Sequence, residues 1–561
     1  MSDSNDNFLG IDFFEKNPNK FFFIPLGGAN EIGMNFNLYC QNGKFLLIDC
    51  GIGFAGGEIN GVDIVLPNID FLLKHKIKLS GIVITHIHED HIGAIPYIWE
   101  RLKCRIYATK LAAEFLREKL AEKHFKKEVE IKIIDDKKTL HIDGFSMDFV
   151  GITHSVPEMQ GLFLNTPHGK IFHTGDWKID KNPVAGDETD FKRIKELSKD
   201  GVLAMVCDST NVFNEGYSGS EGDLEKEFVK LVKDYEDGCV FVTTFASNIA
   251  RLHTLSNVAR RTGRKLFISG RSIERIVKVA KKAGYLDDCV EFLDQRDFSS
   301  VPRYKALVIC TGCQGEELAS LTKIASGQSR YINIKKGDVV LFSSKVIPGN
   351  DKKIFSIYNR LALLNIDVVT EKTHKIHVSG HPNREELKKM YSVVKPWYAV
   401  PVHGEPAHLR EHCSFAKQIG IENTCRVKNG DVFEISSKGI KKAGVVKNGY
   451  DVVDGTIIRA KESVVLGQRD ILAKSGVFIC ILRELKKDID IEIISDGFLH
   501  PKEDKNLFYT LKQNVIDLVV DSVKAGALND RNYFCDSLQK TLLKLCIRKT
   551  GKDPMVRVIL A

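Results

Sequence analysis

The 561-residue chain has no apolar run approaching the roughly 18 residues a membrane-spanning helix needs, so no membrane partner is expected. Its start, Met1-Ser2-Asp3-Ser4-Asn5-Asp6-Asn7, is polar and acidic and lacks the basic opening and apolar core of a secretory signal. The expected location is the cytoplasm. Beyond Cys310 and Cys313 there is no second C-x-x-C, which argues against a zinc ribbon and leaves a redox pair as a weak alternative. The 13 cysteines are odd in number and scattered, many in apolar runs such as those at Cys50, Cys207 and Cys480. They read as reduced core residues, not as a disulfide framework. Internal repeats and low-complexity tracts are missing as well. The glycine-rich stretch Gly27-Gly28-Ala29-Asn30-Glu31-Ile32-Gly33 is followed by a hairpin pattern and not by a helix, which excludes a nucleotide-binding fingerprint.

Hydrophobic residues make up 43% of the chain and charged residues 27%, an ordinary balance for a globular protein with several cores. The length suggests about two to four domains. Net charge is +8, and its distribution says more: between Arg251 and Lys282 ten Lys or Arg face one acid, Glu274. Solvated helix faces are the plain explanation of such a run. The one-sided count favours a polyanion partner.

The most informative stretch is Thr85-His86-Ile87-His88-Glu89-Asp90-His91. A buried-strand pattern, Gly81-Ile82-Val83-Ile84, precedes it, and a helix opening, Ile92 to Ile98, follows. Four ligand-type side chains occupy six positions on one strand-to-helix turn. Imidazole and carboxylate are the ligands that zinc or manganese takes for hydrolysis. At this spacing one loop serves two ions, His86 and His88 on one side, Asp90 and His91 on the other.

Around the loop, Phe21 to Pro25 reads as a first strand, and Asn35 to Cys40 with Lys44 to Asp49 as a hairpin about Asn42-Gly43. Residues 1 to 19 read as a loose arm. Strands are expected at Phe145 to Val150, Gly161 to Leu164, Lys170 to Phe172 and Val202 to Cys207. From Val240 the pattern alternates: strands at Val240 to Thr244, Lys265 to Ile268, Ala306 to Cys310 and Asp338 to Phe342, with helices from about Asn248 and Ser272. That implies a parallel sheet of its own. The expected organisation is an arm (1–19), a first hydrolase part (20–212), an inserted α/β domain (213–372), the second hydrolase part (373–448) and a C-terminal α+β domain (449–561) entered by a linker at about 449–465.

The pattern His-x-His-x-Asp-His resembles the signature of the metallo-β-lactamase superfamily. Further His and Asp residues at strand ends fit it: His154 in Thr153-His154-Ser155, Asp176 in Thr174-Gly175-Asp176, and His403 in Pro401-Val402-His403-Gly404-Glu405. With the insertion and the motifs Cys207-Asp208-Ser209-Thr210-Asn211, Thr244-Phe245-Ala246-Ser247-Asn248, Gly312-Cys313-Gln314-Gly315-Glu316, Ile347-Pro348-Gly349-Asn350 and His377-Val378-Ser379-Gly380-His381, the chain is similar to the nucleases of the β-CASP branch. The resemblance implies an αββα sandwich interrupted by a parallel α/β β-CASP domain. It implies two divalent ions, zinc with manganese or magnesium as alternatives. His86, His88 and His154 would hold one ion, Asp90, His91 and His403 the other, with Asp176 bridging. Asp208 and His381 would lie beside them, His381 as general acid. Phe245, Ala246, Ser247, Asn248, His377, Val378, Ser379, Gly380 and His381 would hold the nucleotide and its phosphates. A structural calcium at Asp63 and Asp454 is also implied. Ile87 stands where relatives often carry Gly.

The expected activity is a metal-dependent ribonuclease that digests 5′-monophosphate RNA from 5′ to 3′ and also cuts internally, in RNA maturation and decay. The expected partners are single-stranded RNA, further copies of the chain (a dimer or tetramer through the C-terminal domain) and RNA-decay or ribosome-associated proteins. A β-CASP DNA nuclease and a small-molecule lactonase- or thioesterase-like hydrolase are the alternatives. A non-catalytic RNA-binding scaffold would be expected to lack ligands, and none is missing.

Overall fold

The computed structural model describes residues 8–123, 125, 127–347, 349–485, 488–524 and 530–561. Residues 1–7 of the expected arm and Pro348 of the motif at 347–350 lie outside them. The chain divides into two compact units, one of residues 1–54 and 64–450, the other of 55–63 and 451–561.

The first unit contains two large mixed sheets. One runs in the order Gly439–Val445, Asp431–Ser436, Phe21–Gly27, Phe36–Gln41, Lys44–Ile48, Leu79–Val83, Ile106–Ala108, Ile131–Ile133. The other runs Asn423–Thr424, Tyr398–Val402, Val202–Asp208, Gly169–His173, Gln160–Thr166, Phe145–Gly151, Leu140–Ile142. The hairpin turns where expected, because Asn42 (φ 53°) and Gly43 (φ 69°) both take the left-handed geometry that a tight hairpin requires. One apolar cluster draws on both sheets, with Phe21, Phe23, Tyr39 and Leu46 from the first and Met147, Leu162, Ile171, Val206 and Val400 from the second. Each such side chain contributes roughly 1.5–3 kcal/mol of burial.

Segments beyond residue 398 complete both sheets, so the chain leaves this fold and returns to it. In between lies a six-stranded, all-parallel sheet in the order Phe292–Asp294, Lys265–Ser269, Ala306–Cys310, Val240–Thr243, Val339–Phe342, Asp367–Thr370. Its four central strands are those the apolar runs announced. The two edges are only half-buried, which is why no apolar run marks them.

In the second unit the strands Asp488–Asp496, Val477–Leu485 and Met555–Leu560 form a sheet, and the helices Lys505–Lys524 and Arg531–Thr550 share its core through Leu511, Val515, Leu538 and Leu542.

Two expectations need correction. The arm is not loose within its described part. Ile11–Glu15 is a helix, Phe14 is fully buried with its ring 5.2 Å from both Phe22 and Phe45, and Leu9 N donates to Val445 O. Its acidic composition hid two consecutive phenylalanines with a core to fill. The stretch at 449–465 is not a plain linker either. It carries the strands Tyr450–Asp454 and Ile457–Ala460, paired antiparallel around Gly455 (φ 63°).

Candidate metal centre

Three neighbouring strands of the second sheet are parallel: Gly169–His173, Val202–Asp208 and Tyr398–Val402. Parallel strands present their C-terminal ends at one edge of a sheet, where open α/β folds place their sites. Asp176 follows the first, Asp208 ends the second and His403 follows the third. His403 takes φ 51°, uncommon for a non-glycine residue, and its N–H donates to Gly28 O at 2.6 Å. The 86–91 loop follows the strand Leu79–Val83 of the first sheet, and His154 follows Phe145–Gly151.

These residues converge. One ligand atom from each of His86, His88, His154 and Asp176 lies within 4.8 Å of the others, and the same holds for Asp90, His91, Asp176 and His403, and for Asp176, Asp208, His381 and His403. Asp176 belongs to all three groups. His88 Nδ1 lies 3.0 Å from both His86 Nε2 and His154 Nε2. His91 Nε2 and His403 Nε2 lie 3.1 and 3.5 Å from Asp176 Oδ2.

The donor set fits divalent cations. Burial and the neighbouring imidazoles hold His86 and His154 well below the usual histidine range; burial takes His88 down to about 4. At neutral pH these rings are uncharged and offer lone pairs to one point. On the other side, burial would depress His91, but Asp176, Asp49 and Asp90 lift it well above the usual range. Burial would raise Asp176, and His403, His91 and His381 bring it down instead. A cluster of carboxylates and imidazoles this dense is the chemistry of a cation site.

The far nitrogen of each ring is also held, which fixes tautomer and orientation. His91 Nδ1 lies 2.7 Å from Asp49 Oδ2, His154 Nδ1 2.6 Å from Gly380 O, His86 Nδ1 2.9 Å from Thr85 Oγ1, and His403 Nδ1 3.1 Å from Asn35 Oδ1. Asp49 and Asn35 escaped the sequence reading. Asp49 is fully buried, takes φ 62° and also accepts from Thr85 N at 2.8 Å. A lone acid closing an apolar strand was the available signal.

Asp208 Oδ2 lies 2.8 Å from His381 Nδ1. Burial would depress His381, but Asp208, with Asp176 and Asp90, pushes it up to about 9. A Cβ built on Gly380 would sit 2.7 Å from the His154 ring, so the loop passes this close only without a side chain. Asn211 Nδ2 donates to Ser379 Oγ at 2.7 Å. His377 Nδ1 is buried without a partner, and burial with the Arg251, Lys178 and Lys345 charges takes its pKa down to about 3.

Other expected residues make the following contacts. Asn248 caps the helix Ile249–Thr262, its side chain accepting from Arg251 N, while Phe245, Ala246 and Ser247 are half-buried ahead of it. Half of the basic run is paired with acids of this protein. Arg251 is fully buried on Glu221; Arg264 bonds four backbone carbonyls; Arg261 pairs with Glu225, Arg275 with Glu122, and Lys278 and Lys282 with Glu118. The acids come from distant helices, so the local count misled. Asp454 is held by Arg459 and Arg469, which places positive charge where a calcium ion would sit, and neither it nor exposed Asp63 joins a metal-ligand cluster among the described residues. Cys310 and Cys313 are buried free thiols, raised above the usual range by burial. Glu89 pairs with Lys119.

Family models match the chain in four stretches: the metallo-β-lactamase superfamily at 34–203, the ribonuclease J β-CASP domain at 237–361, a Zn-dependent metallo-hydrolase RNA specificity domain at 365–425 and the ribonuclease J C-terminal domain at 464–561. Ribonuclease J of Sinorhizobium meliloti is 36% identical over 545 residues, 96% of each chain. The chain belongs to the ribonuclease J family. Ribonuclease J 1 of Streptococcus pyogenes is 32% identical over 96% of this chain and 97% of its own, and ribonuclease J2 of Bacillus subtilis 29% identical over 97% and 98%. A solved Enterococcus faecalis structure titled a protein of unknown function shares the fold alone, at TM-score 0.51 and 14% identity, over 74% of this chain and 100% of its own. Ribonuclease J family membership carries the metallo-β-lactamase fold, the β-CASP insertion and a centre for divalent metal ions. No helix among the described residues is long and apolar enough to cross a membrane.

Proposed function

We propose that this chain is a metal-dependent ribonuclease that hydrolyses RNA phosphodiesters, removing nucleotides 5′ to 3′ from 5′-monophosphate ends and also cutting internally. The observation that carries this reading is the sharing of Asp176 between two ligand groups, beside a half-buried histidine held by Asp208. His86, His88, His154 and Asp176 would hold one ion and Asp90, His91, His403 and Asp176 the other, zinc being the ion such ligands suit. When bound, the pair supplies Lewis acidity that lowers the pKa of a water and offsets charge on phosphate oxygens.

The chain's own side chains do the rest. Asp208 holds the His381 ring by Nδ1, so the ring can present a proton to the leaving oxygen. The unpartnered Nδ1 of His377, with Ser379, Gly380 and the half-buried Phe245 to Ser247, lines the position for a 5′-monophosphate. The same segments are the family resemblance's nucleotide contacts. RNA is favoured over DNA by the names of the relatives and of the RNA specificity domain. RNA maturation and decay, the cytoplasm and self-association through the second unit complete the proposal.

The test is a digest of matched RNAs with 5′-monophosphate and 5′-triphosphate ends. The monophosphate RNA should shorten to mononucleotides while the triphosphate RNA is cut slowly and internally; equal rates at the two ends would exclude the 5′ pocket. His381→Ala should slow the chemical step by roughly 10²–10⁴-fold in single turnover, the span of a positioned acid. An unchanged rate would remove His381 from the chemistry.

A further inference from the structure

Away from the catalytic cluster, His253, Asp288 and Cys289 also bring ligand atoms within 4.8 Å of one another. His253 lies on the helix Ile249–Thr262, and Asp288-Cys289 lies on the loop between the helix Arg271–Ala283 and the strand Phe292–Asp294. His253 Nε2 stands 3.1 Å from both Asp288 carboxylate oxygens.

The loop is fixed to the helix by bonds that leave those ligand atoms out. Val290 N donates to Ser256 Oγ at 2.8 Å, and Arg260 donates to the Asp288 carbonyl oxygen. Ser256 is fully buried and lies one turn beyond His253. Preorganisation of this kind is what a ligand set needs to bind an ion without first ordering a loop. His253 Nδ1 is buried with no hydrogen-bond partner. An ion at this position would replace the proton between His253 Nε2 and Asp288, and the ring proton would then reside on Nδ1.

We propose that His253, Asp288 and Cys289 form a further metal site, for a thiophilic divalent cation such as Zn²⁺, with water completing the tetrahedron. Binding forms a metal–sulfur bond and releases the Cys289 thiol proton to solvent. The ion fastens the 288–290 loop to the helix that Asn248 caps. It therefore stabilises the inserted α/β unit and takes no part in the chemistry.

Cobalt(II) separates this site from the catalytic one, which offers only imidazole and carboxylate. Titrated into the metal-stripped full chain, Co²⁺ should produce a near-ultraviolet thiolate-to-cobalt absorption band that added Zn²⁺ bleaches. Cys289→Ser and His253→Asn should each abolish the band, and Cys289→Ser should lower bound zinc by about one equivalent per chain. His88→Ala should keep the band. Absence of the band in the unsubstituted chain, or its survival in soluble Cys289→Ser, overturns the site. Where Cys289→Ser does not fold, Asp288→Asn decides by the same band.

Discussion

Asp176→Asn should lower RNA hydrolysis by roughly 10³-fold or more, the equivalent of about 4 kcal/mol of lost transition-state stabilisation. Asp176 is the one side chain common to every ligand group in the catalytic cluster, and it is almost wholly buried. Asparagine keeps the shape and removes the charge that the imidazoles of His91 and His403 face at 3.1 and 3.5 Å. Bound zinc should fall with activity. The check is single-turnover cleavage of 5′-labelled RNA beside elemental zinc analysis, with circular dichroism to verify the fold. Activity within about tenfold of the parent, less than about 1.4 kcal/mol, would mean that the two groups do not act as one centre.

The second large effect is on stability. Arg251 is fully buried; its Nε lies 2.5 Å and its Nη2 3.0 Å from the Glu221 oxygens, and Nη1 donates to Ser343 O and Ile376 O at 3.0 and 3.2 Å. Removing one partner of a buried ion pair strands the other, at a cost of about 3–5 kcal/mol. Glu221→Ala should therefore bring the unfolding transition of the inserted α/β unit to clearly lower denaturant. The double variant Glu221→Leu/Arg251→Met should recover much of the loss, since well-packed apolar residues often replace such a pair at little cost. A shift in Glu221→Ala of less than about 1 kcal/mol, the scale of an exposed pair, would contradict the burial.

The same arginine shows where the sequence was silent. Ten basic residues in one segment read as a polyanion surface because the acids that pair with five of them, Glu118, Glu122, Glu221 and Glu225, lie on other elements. Charge pairing across helices leaves no local trace. The hydrolytic loop was legible for the opposite reason: His86, His88, Asp90 and His91 fall within six consecutive positions, and Asp176, Asp208 and His403 each sit where an apolar strand ends. The central strands of the inserted sheet were legible as apolar runs, whereas Phe292–Asp294 and Asp367–Thr370, at its edges, are only half-buried and carry polar residues. Asp49 and Asn35 orient a ligand's far nitrogen, and beyond the lone acid at the end of an apolar strand nothing in their neighbourhood in sequence marks that duty.

The most direct measurement is metal removal and return. The full chain is stripped with a chelator, dialysed free of it and assayed on 5′-monophosphate RNA before and after zinc is restored. The expected result is loss of cleavage on stripping and recovery on return of zinc, with no recovery in Asp176→Asn. Undiminished cleavage by a chain verified to be free of metal would contradict the convergence of these imidazoles and carboxylates as the seat of the chemistry.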